Sequence, residues 1–454
     1  MSEKRPPNIL FLMTDQQRWD YVGYAGAKFL DTPHIDRIAQ RGMRFSHCMT
    51  NSPVCVPARI GLATGLNPSR VSAAANATFL ARRIPTYYQR LRDHGYIVGG
   101  VGKMDLAKPD LYLGLHGQRP CTYMAGFTHP VEIEGKWHSG CSPTPLGPYT
   151  LYLHEKGLLE AYFEDYKRRA SQGYIKACGP SILPTEAFQD RYVGRRAAEW
   201  LEGASDDWPW HLFVSFAGPH NPFDPPAEYA KRYQDRKMPA ATQDDLSGKP
   251  AWLRWRTEAA TPDEIAFARR QYCGAITAID DAIGDVMAAL EKRGWLDNTI
   301  IIFSSDHGEM LGDHGMWEKQ VAYEESIRVP LVVAGPGIPE GESDALIELS
   351  DINPTICELA GLPPQEEIDA RSFVPLLRRE TDAFRDNVLS WMPNFDCLRT
   401  RKYKLIANQN AEIELYDLEE DPKELRNIAS ERPEIVKELA PKIRERVLEG
   451  RWLR

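Results

Sequence analysis

Apolar residues fall along the chain in short runs, and most runs stop at a polar or charged residue. Residues 8–14 (NILFLMT) run into Asp15, and residues 96–101 (YIVGGV) into Lys103. Residues 211–216 (HLFVSF) run into His220, and residues 299–304 (TIIIFS) into Asp306 and His307. Residues 328–334 (RVPLVVA) form a further run. Unbroken apolar runs of this length predict strands buried on both faces. Helical patterns lie between them. The clearest spans residues 262–293, where Tyr272, Ile276, Ile279, Ile283, Val286 and Leu290 recur at steps of three and four. Pro262-Asp-Glu opens it and Gly294 closes it. Strands alternating with helices predict an α/β fold with a large, mostly parallel (mixed) sheet sandwiched by helices. In such sheets ligands gather beyond the carboxyl ends of the strands, where these Asp, Lys and His residues fall.

Two stretches break the alternation. Residues from about 105 to 190 are rich in Gly, Pro, Trp, Tyr and His, which predicts a long irregular insertion that shapes a substrate site. Composition shifts again near residue 380. Beyond it, strand-like pieces at 387–391, 402–406 and 413–418 precede a charged amphipathic helix over 433–449. The expected division is a main domain over 1–380 and a small α+β subdomain with a short antiparallel sheet over 381–454.

Composition narrows the function classes. The 454 residues are 43% hydrophobic and 26% charged, ordinary for a folded globular chain. A net charge of -9 and the lack of a long basic run speak against nucleic acid as a partner. A local basic pocket can still hold an anion. The opening residues MSEKRPPNILFLMTDQQ carry no signal-peptide pattern, and no stretch reaches the length of a membrane span. The expectation is a cytoplasmic protein with no membrane partner. The eight cysteines show no CxxC spacing, so most are expected to be small buried side chains.

Taken singly, the candidate residues say little: an Asp after a strand is most often a cap, and Cys55 a buried thiol. Their joint placement changes that. Asp15 and Gln16 at one strand end, with Asp306 and His307 at another, offer mainly oxygen ligands and one imidazole. That set suits Ca²⁺, Mg²⁺ or Mn²⁺ rather than a thiolate-rich zinc site. Lys103 and Lys319 add cationic donors, and Arg59 a planar fork. Together with a cation they would hold a tetrahedral oxyanion. Cys55 stands just before a helical pattern with Pro57 near its start, where the positive end of the helix dipole favours an anion.

The stretch CVPAR, residues 55–59, matches the Cys-x-Pro-x-Arg signature of the formylglycine-dependent sulfatases of the alkaline phosphatase superfamily. LATGLNPSR continues the match, and SSDHGEMLGDHGMWEKQVAYEESIRVPLVVAGPG resembles the family's second long signature. TDQQRWDYVGYAG resembles the N-terminal metal motif in its Asp-Gln form, similar to choline sulfatases and phosphonate monoester hydrolases. GPHNPFDPP matches the substrate-side His segment, and ELYDLEEDPKELRNIA resembles the C-terminal subdomain. The resemblance runs from about residue 8 to 430 and is weakest from 105 to 200.

The resemblance implies an alkaline-phosphatase-like fold and a sulfuric ester hydrolase. Cys55 would be oxidised to formylglycine by a maturing enzyme. The hydrated aldehyde would bind one divalent cation, Ca²⁺ with Mn²⁺ or Mg²⁺ as alternatives, alongside Asp15, Gln16, Asp306 and His307, and would attack sulfur. Arg59, Lys103 and Lys319 would stabilise the sulfuryl oxygens, and His220 with Lys319 would protonate the departing alcohol. The expected substrate is a small-molecule or saccharide sulfate ester. A phosphonate monoester or phosphodiester is compatible with the same groups, whereas the complete residue set argues against an inactive binding homologue. Many relatives associate, so a homo-oligomer is an open expectation.

One departure stands out. Many sulfatases carry His two residues after the strand-end Lys, but GKMDLAKPD places Asp105 there. Asp105 is a base, a substrate-recognition group, or the partner of a neighbouring cation. A carboxylate beside a sulfate needs such a partner. Asn76 aligns with a family Asn that contacts the sulfated group, and reads equally as a helix cap. Trp137, His138, Tyr149 and Tyr152 read either as pocket lining or as aromatic anchors of the insertion.

Overall fold

The unbroken apolar runs form the middle of an eight-stranded mixed sheet. Its strands are β1 (Asn8–Asp15), β2 (Gly42–Met49), β3 (Ile97–Gly102), β4 (His129–Glu132), β5 (Trp210–Pro219), β6 (Thr299–Ser305), β7 (Arg328–Ala334) and β8 (Gly341–Glu348). The order is β4-β3-β5-β1-β6-β7-β2-β8, and only β7 runs antiparallel to its neighbours. The computed structural model describes residues 6–448. Glu449, the expected last residue of the final helix, lies outside them, as do the outermost residues of both expected domains.

Alternation along β1 explains why its run has no polar break. Ile9, Phe11 and Met13 enter the core on one face of the sheet, while Leu10 and Leu12 enter the core on the other. The neighbouring strand β6 does the same, with Ile300 and Ile302 on one face and Ile301 and Phe303 on the other. Register then fixes the site. Asp15 pairs with Pro219 of β5, and Thr14 with Ser305 of β6, so Asp15, His220 and Asp306 leave the sheet at one edge.

The helix expected over 262–293 spans Pro262–Lys292 and begins with a capping box between Thr261 and Glu264. All six of its periodic apolar residues are buried. Strands β2, β4 and β8 were not expected. The first and last interleave polar residues, as in GMRFSHCM and GESDALIE, and β4 has only four residues, too short to carry a period.

The stretch from 105 to 190 is less irregular than expected. It contains β4 and helices at Pro120–Met124, Lys136–Ser139, Pro148–Glu155 and Leu159–Ala170. The prolines that suggest loops stand in the first turns of helices, where a missing N–H costs nothing. Tyr149, Tyr162 and Tyr166 pack this unit onto the core beside β5. Tyr149 is fully buried and donates to the Ala187 carbonyl at 2.9 Å, and Tyr152 stacks near Tyr192. Both serve packing.

The C-terminal unit is a four-stranded antiparallel sheet, β9 (Val388–Met392), β10 (Phe395–Arg399), β11 (Tyr403–Asn408) and β12 (Ile413–Asp417). The helix Pro433–Leu448 lays Leu439, Ile443 and Val447 onto Leu389, Leu398, Leu405 and Leu415. Glu348 at the end of β8 clamps this unit to the main sheet. It accepts from the Leu389 N–H at 2.8 Å and pairs with Arg385 at 3.1 Å and Arg446 at 2.6 Å. All eight cysteines are free thiols, and most are buried as expected, with Cys121 half-buried and Cys141 exposed. Among the described residues no helix is long and apolar enough to cross a membrane.

Candidate active site

Cys55 is the first residue of the helix Cys55–Thr64 and is fully buried at the sheet edge. Its Sγ lies 3.3 Å from Nε2 of His307 and 3.9 Å from Oδ1 of Asp15. His307 directs its other ring nitrogen to the Gly308 carbonyl at 3.0 Å. That bond places a proton on Nδ1 and turns Nε2 towards Cys55; burial opposes a charge on the ring, but Asp306 and Cys55 raise its pKa.

Arg59, one turn further along the same helix, ties two strand ends together. Its Nη2 donates to Asp15 Oδ2 at 3.0 Å and its Nε to Asp306 Oδ2 at 2.9 Å. Its Nη1 donates to the Lys103 carbonyl at 2.5 Å and to Ser215 Oγ at 2.7 Å. Lys103 Nζ completes the pairing of Asp15 at 2.5 Å. The backbone reaches this geometry because Gly102 sits at φ 115° against the Ser215 carbonyl, where a Cβ would come within 1.8 Å.

Electrostatics follow from burial and these pairs. Burial favours protonation of Asp15, but Lys103, His220, Arg59 and His307 hold its carboxyl well below the ordinary range. Burial and the neighbouring Asp15 raise Asp306, despite His307 and Arg59. Burial also opposes ionisation of the Cys55 thiol, as does Asp15, yet Lys103, Lys108 and Lys319 draw it well below the usual thiol range. The centre thus favours negative charge at the Cys55 position.

Asp15, Cys55, Asp306 and His307 each bring one donor atom within 4.8 Å of the others, and all four are buried. Two carboxylates pressed together out of water, with one of them raised by the other, form a donor set that a divalent cation would relieve. The residues present therefore fit a metal. Gln16, the other expected ligand, adjoins this set. Its N–H donates to Asp306 Oδ1 at 3.0 Å, and its side-chain oxygen accepts from Lys319 Nζ. Its amide nitrogen donates to Glu309 and, at 3.2 Å, contacts the Tyr174 hydroxyl.

Lys319 reaches His220, with Nζ 2.9 Å from Nε2. Burial and Lys319 push the half-buried His220 down to about 4. Backbone strain gathers here. Gln16 at φ 71°, Asp105 at φ 56°, and Glu318 and Gln320 on either side of Lys319 at 65° and 74° all occupy the left-handed region.

Asp105 has the cationic partners its position requires. Its Oδ2 lies 3.2 Å from Lys103 Nζ and 2.9 Å from Lys108 Nζ. Burial raises it, but the two lysines win and hold it far below the carboxylate range. Asn76 sits at the nucleophile's helix and accepts from the Val56 N–H at 3.1 Å, in the manner of a cap supplied from a distant loop. Trp137 lines a cleft beside the centre, and His138, its neighbour, is half-buried with its pKa lowered by burial.

Sequence reasoning passed over Lys108, Ser215, Glu309 and Tyr174. Lys108 stands within GKMDLAKPD and Glu309 within SSDHGEM, so both lay in segments already marked. Nothing in the sequence pointed to Ser215 or Tyr174.

The chain belongs to the sulfatase family. The family model described as Sulfatase matches residues 7–362, and one described as N-sulphoglucosamine sulphohydrolase, C-terminal, matches residues 312–451. The chain is similar to a choline-sulfatase of Rhizobium meliloti, 29% identical over 93% of this chain and 82% of that protein. It is 30% identical to the uncharacterized sulfatase YidJ of Escherichia coli, over 93% of this chain and 83% of that protein. The crystal structure of the phosphonate monoester hydrolase of Agrobacterium radiobacter matches with a TM-score of 0.81 at 25% identity, covering 98% of this chain and 96% of that one. The fold is the alkaline-phosphatase-like one expected, and the protein is a sulfatase-family hydrolase.

Proposed function

We propose that the protein hydrolyses a sulfate monoester of a small organic or sugar alcohol to the alcohol and inorganic sulfate. The observation that carries this reading is the position of Cys55. It opens a helix within the CVPAR signature, 3.3 Å from His307 Nε2, inside a buried ring of Asp15, Arg59, Lys103 and Asp306. When present, the formylglycine derived from Cys55 and one divalent cation (Ca²⁺, Mn²⁺ or Mg²⁺) supply an acidified hydroxyl nucleophile and a Lewis acid.

The chain's own residues do the rest. Asp15, Gln16, Asp306 and His307 would hold the cation. Arg59 and Lys103 fix the carboxylates and keep the local potential positive where the sulfuryl oxygens gather charge. Lys319 carries a proton on the ammonium that meets His220 Nε2, so the pair delivers it to the leaving oxygen. His220 holds its orientation through Nδ1, which meets the Asn221 carbonyl at 2.6 Å. Cys55, Pro57 and Arg59 are all buried, so a formylglycine-generating maturase has to reach the signature before the chain closes over it.

A second reading is a phosphonate monoester or phosphodiester hydrolase on the same site. The likeness to the Agrobacterium radiobacter enzyme favours it. Protein made together with a maturase should show aldehyde in place of thiol in the mass of the Cys55 peptide. It should turn over a sulfate ester faster than a phosphonate monoester or phosphodiester, and a chelator should abolish turnover until Ca²⁺, Mn²⁺ or Mg²⁺ is returned. A Cys55→Ala variant as active as the parent would end the formylglycine reading.

A further inference from the structure

Glu309 is fully buried two residues beyond His307, and donors converge on both of its oxygens. Its Oε1 accepts from the Leu311 N–H at 3.1 Å and the Glu318 N–H at 2.7 Å. Its Oε2 accepts from the Tyr174 hydroxyl at 2.8 Å and from Nε2 of Gln16. Burial raises its pKa, against the Leu311 and Tyr174 bonds and the charge of Lys319. A protonated acid, however, would turn its own O–H against one of the four donors, whereas a carboxylate has a lone pair for each. Keeping a carboxylate out of water is costly, and the donors that offset it lead to one residue of the centre, Gln16.

Gln16 is held at every polar atom. Its backbone N–H donates to Asp306 Oδ1 at 3.0 Å, and its carbonyl accepts from the Tyr272 hydroxyl at 2.6 Å. Its Nε2 faces Glu309, contacts the Tyr174 hydroxyl at 3.2 Å and approaches Asn221 Oδ1 at 3.5 Å. Its Oε1 accepts from Lys319 Nζ. An ammonium only donates and a carboxylate only accepts, so the amide has one orientation. Turned the other way, its oxygen would meet Glu309 and its nitrogen the ammonium. Tyr174 works in the same direction. Its hydroxyl donates to Glu309 and so presents a lone pair to Gln16 Nε2. Lys319 takes one lone pair of Oε1, which leaves one for a cation.

We propose that Glu309, with Tyr174, is a positioning group for Gln16: it fixes the amide so that the oxygen, and not the nitrogen, is offered to the divalent cation. The proposal rests on the metal-dependent sulfatase reading above. Groups that orient a metal ligand in this way raise the affinity of a site without touching the ion. A competing role is purely structural. Through the Glu318 N–H the same carboxylate steadies the loop that carries Lys319. The two roles part at Gln16, because only the first requires its side chain.

The test uses full-length, formylglycine-bearing protein freed of metal by a chelator. Mn²⁺ is the probe, and the EPR signal of the unbound ion gives its dissociation constant. Glu309→Gln should raise that constant about 10- to 100-fold, and Tyr174→Phe, which removes one hydroxyl, should raise it less. In a Gln16→Ala background, itself weakened, Glu309→Gln should add little, because the group it acts on is gone. Should Glu309→Gln not fold, Tyr174→Phe runs the same cycle. An equal fold-loss in both backgrounds overturns the proposal. So does full Mn²⁺ affinity in both variants with only kcat reduced, which would assign Glu309 to the Lys319 loop alone. A parent that binds no Mn²⁺ would remove the metal reading, and this inference with it. The expected cycle in a protein hydrolysing no sulfate ester would keep the positioning role and remove the sulfatase reading.

Discussion

Nζ of Lys319 lies 2.9 Å from Nε2 of His220, and the other ring nitrogen of His220 faces the Asn221 carbonyl at 2.6 Å. The imidazole is neutral, since burial and the ammonium push it down to about 4. The ammonium of Lys319 is therefore the donor of the pair, and the neutral imidazole, fixed through Nδ1, orients it towards the leaving oxygen. His220→Ala should cut turnover of an alkyl sulfate by about 10²–10⁴-fold. A nitrophenyl sulfate, whose leaving group needs little protonation, should suffer much less. A plot of the loss against leaving-group pKa checks this, and a flat line would remove His220 and Lys319 from the protonation step.

Asp105 bridges Lys103 and Lys108. Because Lys103 also pairs with Asp15, removing Asp105 unbalances a buried chain of alternating charges. Asp105→Ala should lower kcat by about 10²-fold, in line with breaking a buried charged pair. Lys108→Ala should lower it less, since Lys108 is partly exposed. Rapid-quench measurement distinguishes the roles. Charge positioning slows alcohol release itself, whereas loss of a base would give one fast equivalent of alcohol and then slow sulfate release.

Asn76 contributes through the helix that begins at Cys55. Its Oδ1 satisfies the Val56 N–H, one of the unpaired donors of the first turn. Asn76→Ala should cost about 1 kcal/mol of stability. Urea denaturation measures it, and steady-state kinetics on the same protein should show a loss below tenfold. A drop of about 10²-fold or more with unchanged stability would instead mean substrate contact.

The central sheet and the candidate centre were legible because both write themselves into adjacent residues. A strand buried on two faces has no polar break, and the ligand or cation follows directly at its end, as in residues 8–16 and 299–307. Strands β2 and β8 were hidden because neighbouring polar residues blur their period. The helices of 105–190 were hidden because their prolines occupy first turns. Ser215 and Tyr174 were invisible for a different reason. Each serves the centre through contacts across more than a hundred residues, the first to Arg59 and the second to Gln16 and Glu309. Only the folded chain brings such pairs together.

Asp280 gives a prediction about the fold alone. It is fully buried on the long helix Pro262–Lys292, and its two oxygens accept from the backbone N–H groups of His34 at 3.0 Å and Ile35 at 2.8 Å. Burial raises its pKa to about 7 even against those bonds, with Asp281 and Asp36 adding to the rise. A folded-state pKa above the unfolded value means the native protein holds a proton that the unfolded chain has already lost. The resulting stability is complete below pH ~4 and is lost as pH rises towards 7, a change on the order of a few kcal/mol. Asp280→Asn keeps one acceptor and cannot titrate. It should be less stable at low pH, because one N–H loses its partner, and should lack this part of the pH slope. Urea midpoints at pH 5 and pH 8 for both proteins test this. The parent should lose stability between the two values by more than the variant, and parallel losses would show that Asp280 is ionised throughout.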